Sequence, residues 1–242
     1  MIRTKFISIL SFFFFFVVQQ ISAQPSLSPR EMLRWKITMS DDLTSMNEAR
    51  NEALANPVLL EEIVFLKKDE TGNLSNRYAR PNAMNYLEEC SKSGQITPEH
   101  FFDIVFRLLK DLPTYALPSD LEEESKAYRQ QVTTYGFNPI SKKTSVDLFG
   151  NLQALLASLD AMFKYGQISN QGTLRSLKAK ILSAKDFLEK EKANGKNPAT
   201  NKLNATINEA NAQKGKHIVE YGAEIIIGYC KGLIAQIADK TF

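Results

Sequence analysis

Asp147-Leu148-Phe149-Gly150-Asn151-Leu152-Gln153-Ala154-Leu155-Leu156-Ala157-Ser158-Leu159-Asp160-Ala161-Met162 places Leu148, Leu152, Leu155, Leu159 and Met162 at alternating intervals of four and three residues. That spacing sets them along one seam of a helix that packs on neighbours. After Gly166 three more amphipathic segments follow. The first turns Leu177, Ile181, Ala184 and Leu188 inward; the second begins at Asn197-Pro198 and buries Leu203, Ile207 and Ala210; the third buries Ala223, Ile226, Ile227, Cys230, Leu233, Ile234 and Ile237. Gly195 and Gly215 separate them. Each helix is marginal alone in water, so the three must shelter one another's apolar stripes, and a small antiparallel three-helix bundle is the economical product.

Upstream the period is again helical. Leu43, Met46, Ala49 and Ala53 recur at helix spacing, and Asn56-Pro57 opens a short apolar helix through Leu66. Residues 67–80 read as a polar connection, in which Asp69, Glu70 and Asn73 around Gly72 form a turn rather than a calcium loop. A helix from Pro81 to Cys90 stops at Gly94, and Thr97-Pro98 starts a core helix with Phe101, Phe102, Val105, Leu108, Leu109 and Leu112, ended by Pro113. Pro118-Ser119 introduces a charged helix to about Val132, and residues 133–144 form the boundary between two regions. Gly94-Gln95-Ile96-Thr97 and Gly166-Gln167-Ile168-Ser169 repeat one device, a glycine that ends one helix and a hydroxyl that caps the next. The expected fold class is all-α: a multi-helix region over 24–138, a connecting helix over 139–165 and the three-helix module over 166–242.

The chain opens with Arg3 and Lys5, an apolar run from Phe6 to Val18 with five consecutive phenylalanines, and Ile21-Ser22-Ala23 before Gln24. This is the pattern of a secretory signal peptide over 1–23, too short in its apolar run to span a bilayer. The expected product is exported, periplasmic or extracellular, and not an integral membrane protein after cleavage. Removing Arg3 and Lys5 from the 30 basic side chains leaves one more than the 27 acidic ones, so the mature chain is nearly neutral. A nucleic-acid partner calls for a basic excess on one face and is not expected. Cys90 and Cys230 are an even pair in an oxidising compartment, compatible with one disulfide worth roughly 4–5 kcal/mol in the chain-entropy account. Both also fall on apolar helix faces, where free cysteine sits as a small hydrophobe.

The order Gly166-Gln167-Ile168, Ser176-Leu177-Lys178-Ala179-Lys180-Ile181 with Ala184, Asn201-Lys202-Leu203-Asn204-Ala205-Thr206-Ile207-Asn208, Gln213-Lys214-Gly215-Lys216-His217-Ile218, then Ala223 and Leu233-Ile234 resembles the FIMAH domain. The resemblance covers about 166–237. It implies a small helical module at the end of an exported protein, without a catalytic residue of its own. Thr206 stands where the family pattern favours phenylalanine, and Cys230 where a small residue is usual.

Chemistry-bearing patterns are sparse. His100 and His217 are the two histidines and lack metal-ligand spacing, so no metal and no cofactor is expected. Glu61-Glu62 and Glu88-Glu89 are adjacent carboxylates, but neighbours on a helix point apart, whereas a glycosidase needs two converging across a cleft. Lys178, Lys180, Lys185, Lys190, Lys192 and Lys196 make one helix basic; Lys178, Lys185 and Lys192 share a face that solvates the helix or attracts an anionic polymer. The reading is a non-catalytic interaction or scaffolding protein of the cell envelope or extracellular space, docked to a protein or an anionic polymer through its terminal bundle. The alternative is a secreted hydrolase acting on envelope glycan through N-terminal carboxylates.

Overall fold

The computed structural model describes residues 27–40, 42–68, 70, 76–135 and 147–239. The expected export signal, most of the Asp69–Asn73 turn and most of the 133–144 boundary lie outside the described residues. Among those described, the protein is all-α, with ten α-helices.

Helix α1 (Pro29–Met39) begins with a reciprocal cap: Ser28 Oγ accepts from the Glu31 amide, and the Glu31 carboxylate accepts from the Ser28 amide at 3.0 Å. Helix α2 (Leu43–Ala55) is capped by Asp42, which accepts from the Thr44 and Ser45 amides. Helices α3 (Pro57–Val64) and α4 (Asn76–Lys92) pack against each other, and α1 and α2 both lie against α4. The sequence pattern starts α4 at Pro81, yet the helix reaches back to Asn76. Tertiary bonds hold the added turn, with the Asn76 amide donating to the Ile63 carbonyl at 2.7 Å and Arg80 buried below it.

Helix α5 (Pro98–Tyr115) is capped by Thr97 and runs past Pro113, the expected stop. It bends at Asp111 (φ −106°, ψ 17°), where the proline's missing N–H loosens the ladder. Helix α6 (Leu121–Thr134) packs on α5. Helix α7 (Leu148–Lys164) buries the whole Leu148–Met162 seam, and also Ala154, Leu156, Ala157 and Ala161, because it lies against α5, α8 and α10 at once. Helix α8 (Gln171–Glu191) passes through a 3-10 turn (Lys192–Gly195) into α9 (Lys196–Gln213), and α10 (Glu220–Asp239) completes the chain. Within the C-terminal module α8 packs on α9 and α9 on α10, and α7 touches both α8 and α10.

Gly94 and Gly166 adopt φ of 80° and 77°. In each case the next residue's amide returns to the helix, Gln95 to the Cys90 carbonyl at 2.9 Å and Gln167 to the Met162 carbonyl at 2.7 Å. The helix starts differ. Thr97 caps α5, whereas α8 is capped by Asn170, whose side chain accepts from Thr173; the Ser169 amide instead donates to the His217 carbonyl. That bond, with Val219 to the Gln167 carbonyl, ties the α7–α8 loop to the α9–α10 loop through an Ile168–Ile218 bridge. One continuous apolar core runs from Leu33 to Ile237. Its two regions meet where α5 packs on α7 and α6 on α10, with the Phe102 ring edge-on to Tyr229 at 6.4 Å.

Candidate functional site

Four lysines of α8 are drawn into ion pairs. Lys178 binds Asp160 of α7 at 2.6 Å, Lys180 binds Glu209 of α9 at 2.8 Å, Lys185 binds Glu189 at 3.1 Å and Lys190 binds Asp186 at 3.0 Å. Lys192 opens the 3-10 turn. Positive charge on this face is therefore locally balanced, and two of the pairs join helices rather than face a ligand.

The acidic neighbours are committed in the same way. Glu61 accepts from Arg107 at 3.1 Å and pairs with His100 Nε2 at 3.0 Å, while the Arg107 guanidinium lies 3.5 Å above the Phe65 ring. Glu62 is exposed beside it. Glu88 holds Lys92 and accepts from Gln131 at 2.7 Å, and Glu89 holds Arg50. The four carboxylates do not converge on one cleft. Among the described residues no group of three His, Cys, Asp or Glu side chains stands close enough to hold a metal ion.

Cys90 and Cys230 are free thiols, both buried. Cys90 Sγ faces the Leu54 carbonyl of α2 at 3.9 Å, and Cys230 lies in the core of α10. Burial pushes both thiols up, Cys230 to about 12, so neither forms thiolate near neutrality.

The most elaborate polar cluster carried no sequence motif. Arg80, 1% exposed, donates to both oxygens of Glu124 at 3.1 and 2.8 Å and to the Val64 carbonyl at 3.0 Å. It also reaches the Leu66 and Tyr115 carbonyls. One guanidinium from α4 thus satisfies carbonyls just past α3 and at the end of α5 and ties both to α6. Burial pushes the Glu124 carboxyl up and Arg80 opposes that shift; Tyr128, its phenol raised by the same burial, donates to Glu124 at 3.3 Å. Every donor points at a protein acceptor, which makes the cluster a clamp. Beside it, Pro81, Asn85, Glu88, Tyr128 and Gln131 line an open groove of about 380 Å³ between α4 and α6. Gln131 there already spends its amide on Glu88 and the Met84 carbonyl.

The outer face of α1 is different. Leu33 and Ile37 of α1 face the core, yet Met32, Trp35 and Met39, spaced i, i+3 and i+7, lie exposed on the opposite side of the same helix. Leu43, 79% exposed, and Met46 are exposed apolar residues of the first turn of α2. Lys36 is paired with Glu52, and Glu31 and Asp42 are used as caps.

Among the described residues no helix is long and apolar enough to cross a membrane. Comparison of the chain with known protein families, with curated proteins and with solved structures finds no match.

Proposed function

We propose that the protein is an exported, non-catalytic interaction protein of the cell envelope or extracellular space, and that it docks a partner protein on the outer stripe of α1 and the start of α2. The observation that carries this reading is the exposed row Met32, Trp35, Met39, Leu43 and Met46. A helix with apolar residues on two opposite faces has a second surface to cover. Methionine and tryptophan are the residue types enriched in interface cores, and the i, i+3, i+7 spacing is that of a helix seated in an apolar groove. Charge argues for a protein over a lipid surface, because interfacial helices carry a lysine- and arginine-rich polar face. Of the three cations of α1, Arg34 is buried, Lys36 is paired with Glu52 and Arg30 stands beside Glu31, so the outer face is not rich in free basic groups.

Export is supported by the leader pattern of residues 1–23 and by the resemblance of residues 166–237 to a module that ends exported proteins. The ion pairs of α8 occupy the cations that this module would offer an anionic partner, which supports a reading with docking at the other end of the chain. A photocrosslinking side chain introduced at Trp35 or Met39, and at Lys231 as an exposed control, tests this in the producing cell. The expected result is one protein adduct from positions 35 and 39, absent at 231 and lost in a Met32→Glu background. Adducts that are equally abundant from all three positions, or absent from 35 and 39, would overturn it.

A further inference from the structure

The side of α6 that turns toward α10 carries Lys126, Arg129, Gln130 and Thr133, which share one helix face. Together with Tyr221, Glu224 and Ile225 of α10 they line a groove of about 370 Å³, within the range of small-molecule sites. Gly228 sets where the two helices meet: a Cβ there would stand 3.2 Å from Thr133 Cγ2, so α6 and α10 touch at that point and leave space toward Lys126 and Tyr221.

The charges in this groove differ from those on α8. Neither Lys126 nor Arg129 makes an ion pair with a carboxylate among the described residues. The acid of the groove, Glu224, is held by Lys214 at 3.1 Å, and Glu122, one turn before Lys126, is exposed to solvent. The Arg129 guanidinium sits 5.2 Å from the centre of the Tyr221 ring, a contact that occupies no hydrogen-bond acceptor for its N–H groups. One wall therefore offers two cations, an amide and the Thr133 hydroxyl oxygen, whose proton goes to the Gln130 carbonyl at 2.8 Å, and the other offers an aromatic ring and Ile225.

We propose that this groove binds an acidic sugar, a pyranose ring bearing a carboxylate or a phosphate. Its anionic group lies between Lys126 and Arg129, its ring lies against Ile225 and the edge of Tyr221, whose face holds Arg129 in place, and its hydroxyls meet Gln130, Thr133 and Glu224. The polar lining selects a hydroxylated ring over a plain aryl anion, and the paired cations select an acid over a neutral sugar. This site is separate from the α1 stripe and does not depend on it.

Titration calorimetry of the exported chain at low salt tests the assignment. The probes are glucuronate and glucose 1-phosphate as the two acids, glucose as the neutral ring, and acetate and inorganic phosphate as anions without a ring. Binding of either acid sugar is expected, at least about tenfold tighter than glucose, acetate or phosphate, and weakening as salt is raised. Which acid binds identifies the carboxylate or the phosphate as the recognised group. Arg129→Gln, Lys126→Gln and Tyr221→Leu should each lose about five- to tenfold in affinity with unchanged helical circular dichroism, and Lys231→Gln should lose none. No heat from either acid sugar at millimolar concentration, equal binding of glucose, ring-free anions binding as well as the sugars, or affinity indifferent to the three substitutions would each overturn it.

Discussion

At the scale of single residues, Arg80 bears the largest burden. Replacing it by Ala strands the buried Glu124 carboxylate and frees carbonyls at Val64 and Leu66. Breaking one side of a buried pair costs about 3–5 kcal/mol, which should appear as a fall in Tm of roughly 10 °C. The double variant R80M/E124L should recover part of that loss, since it removes both charges; a double variant as unstable as Arg80→Met plus Glu124→Leu added together would show no coupling. The two thiols make a second prediction. With Cys90 and Cys230 buried and free, neither should react with a thiol reagent in the folded protein at neutral pH, and both should react in denaturant without reductant. Thiols that appear in denaturant only after reduction would show a disulfide. Neither outcome was legible from sequence, which leaves a lone pair of cysteines equally suited to a bridge and to two core positions.

Single helices add a pH-dependent end and a tight corner. Hydrogen bonds from the Ser28 backbone hold the Glu31 carboxyl below the usual carboxylate range, and those from Ser45 do the same for Asp42. A carboxyl lowered in the folded state contributes stability above its unfolded pKa and loses it as pH falls through the folded value. The first turns of α1 and α2 should therefore fray below about pH 4, seen as faster amide exchange at Glu31, Thr44 and Ser45 while α7 stays protected. Exchange at those amides unchanged into acid would contradict it. At the 3-10 turn, a Cβ on Gly195 would strike the Phe187 carbonyl and come within 3.3 Å of the Leu188 amide nitrogen. Gly195→Ala should cost at least about 2 kcal/mol in denaturant unfolding. Helix starts were readable at Asn56-Pro57 and Thr97-Pro98 because capping and first-turn proline are local chemistry, whereas α1 with its Ser28 cap was not read from the pattern. The ends at Pro81 and Pro113 were not, because bonds from Asn76 and the bend at Asp111 carry each helix past its proline.

For the whole molecule, the continuous core predicts one cooperative transition. α5 packs on α7 and α6 on α10, and the Phe102 ring, packed with Phe101 and Tyr135, meets Tyr229 across that seam. Circular dichroism and Trp35 fluorescence should give coincident denaturant curves, and a fragment ending at residue 138 should expose Phe102 and fail to show a sharp transition. Well-separated curves from the two probes would divide the chain into independent units. The single tryptophan also reports on docking: Trp35, 46% exposed, should be readily quenched in the free protein and protected on partner binding.

Periodicity and capping chemistry, which act within a few residues, determined that this chain is helical and placed the Leu148–Met162 seam, every member of which is buried; Ile207, Ile227 and Ile234, read as inward, are only partly buried, and Thr206 takes the core position beside Ile207. Only the tertiary structure decided what the polar and surface residues do. The lysines of α8 read as a free basic face until Asp160 and Glu209 arrived from other helices. Arg80 and Glu124 became partners only when α4 met α6, and the cations of α6 gained a ring opposite them only when α10 packed alongside. Charge pairing and groove formation depend on side chains far apart along the chain, whereas a helix depends on its own next turn.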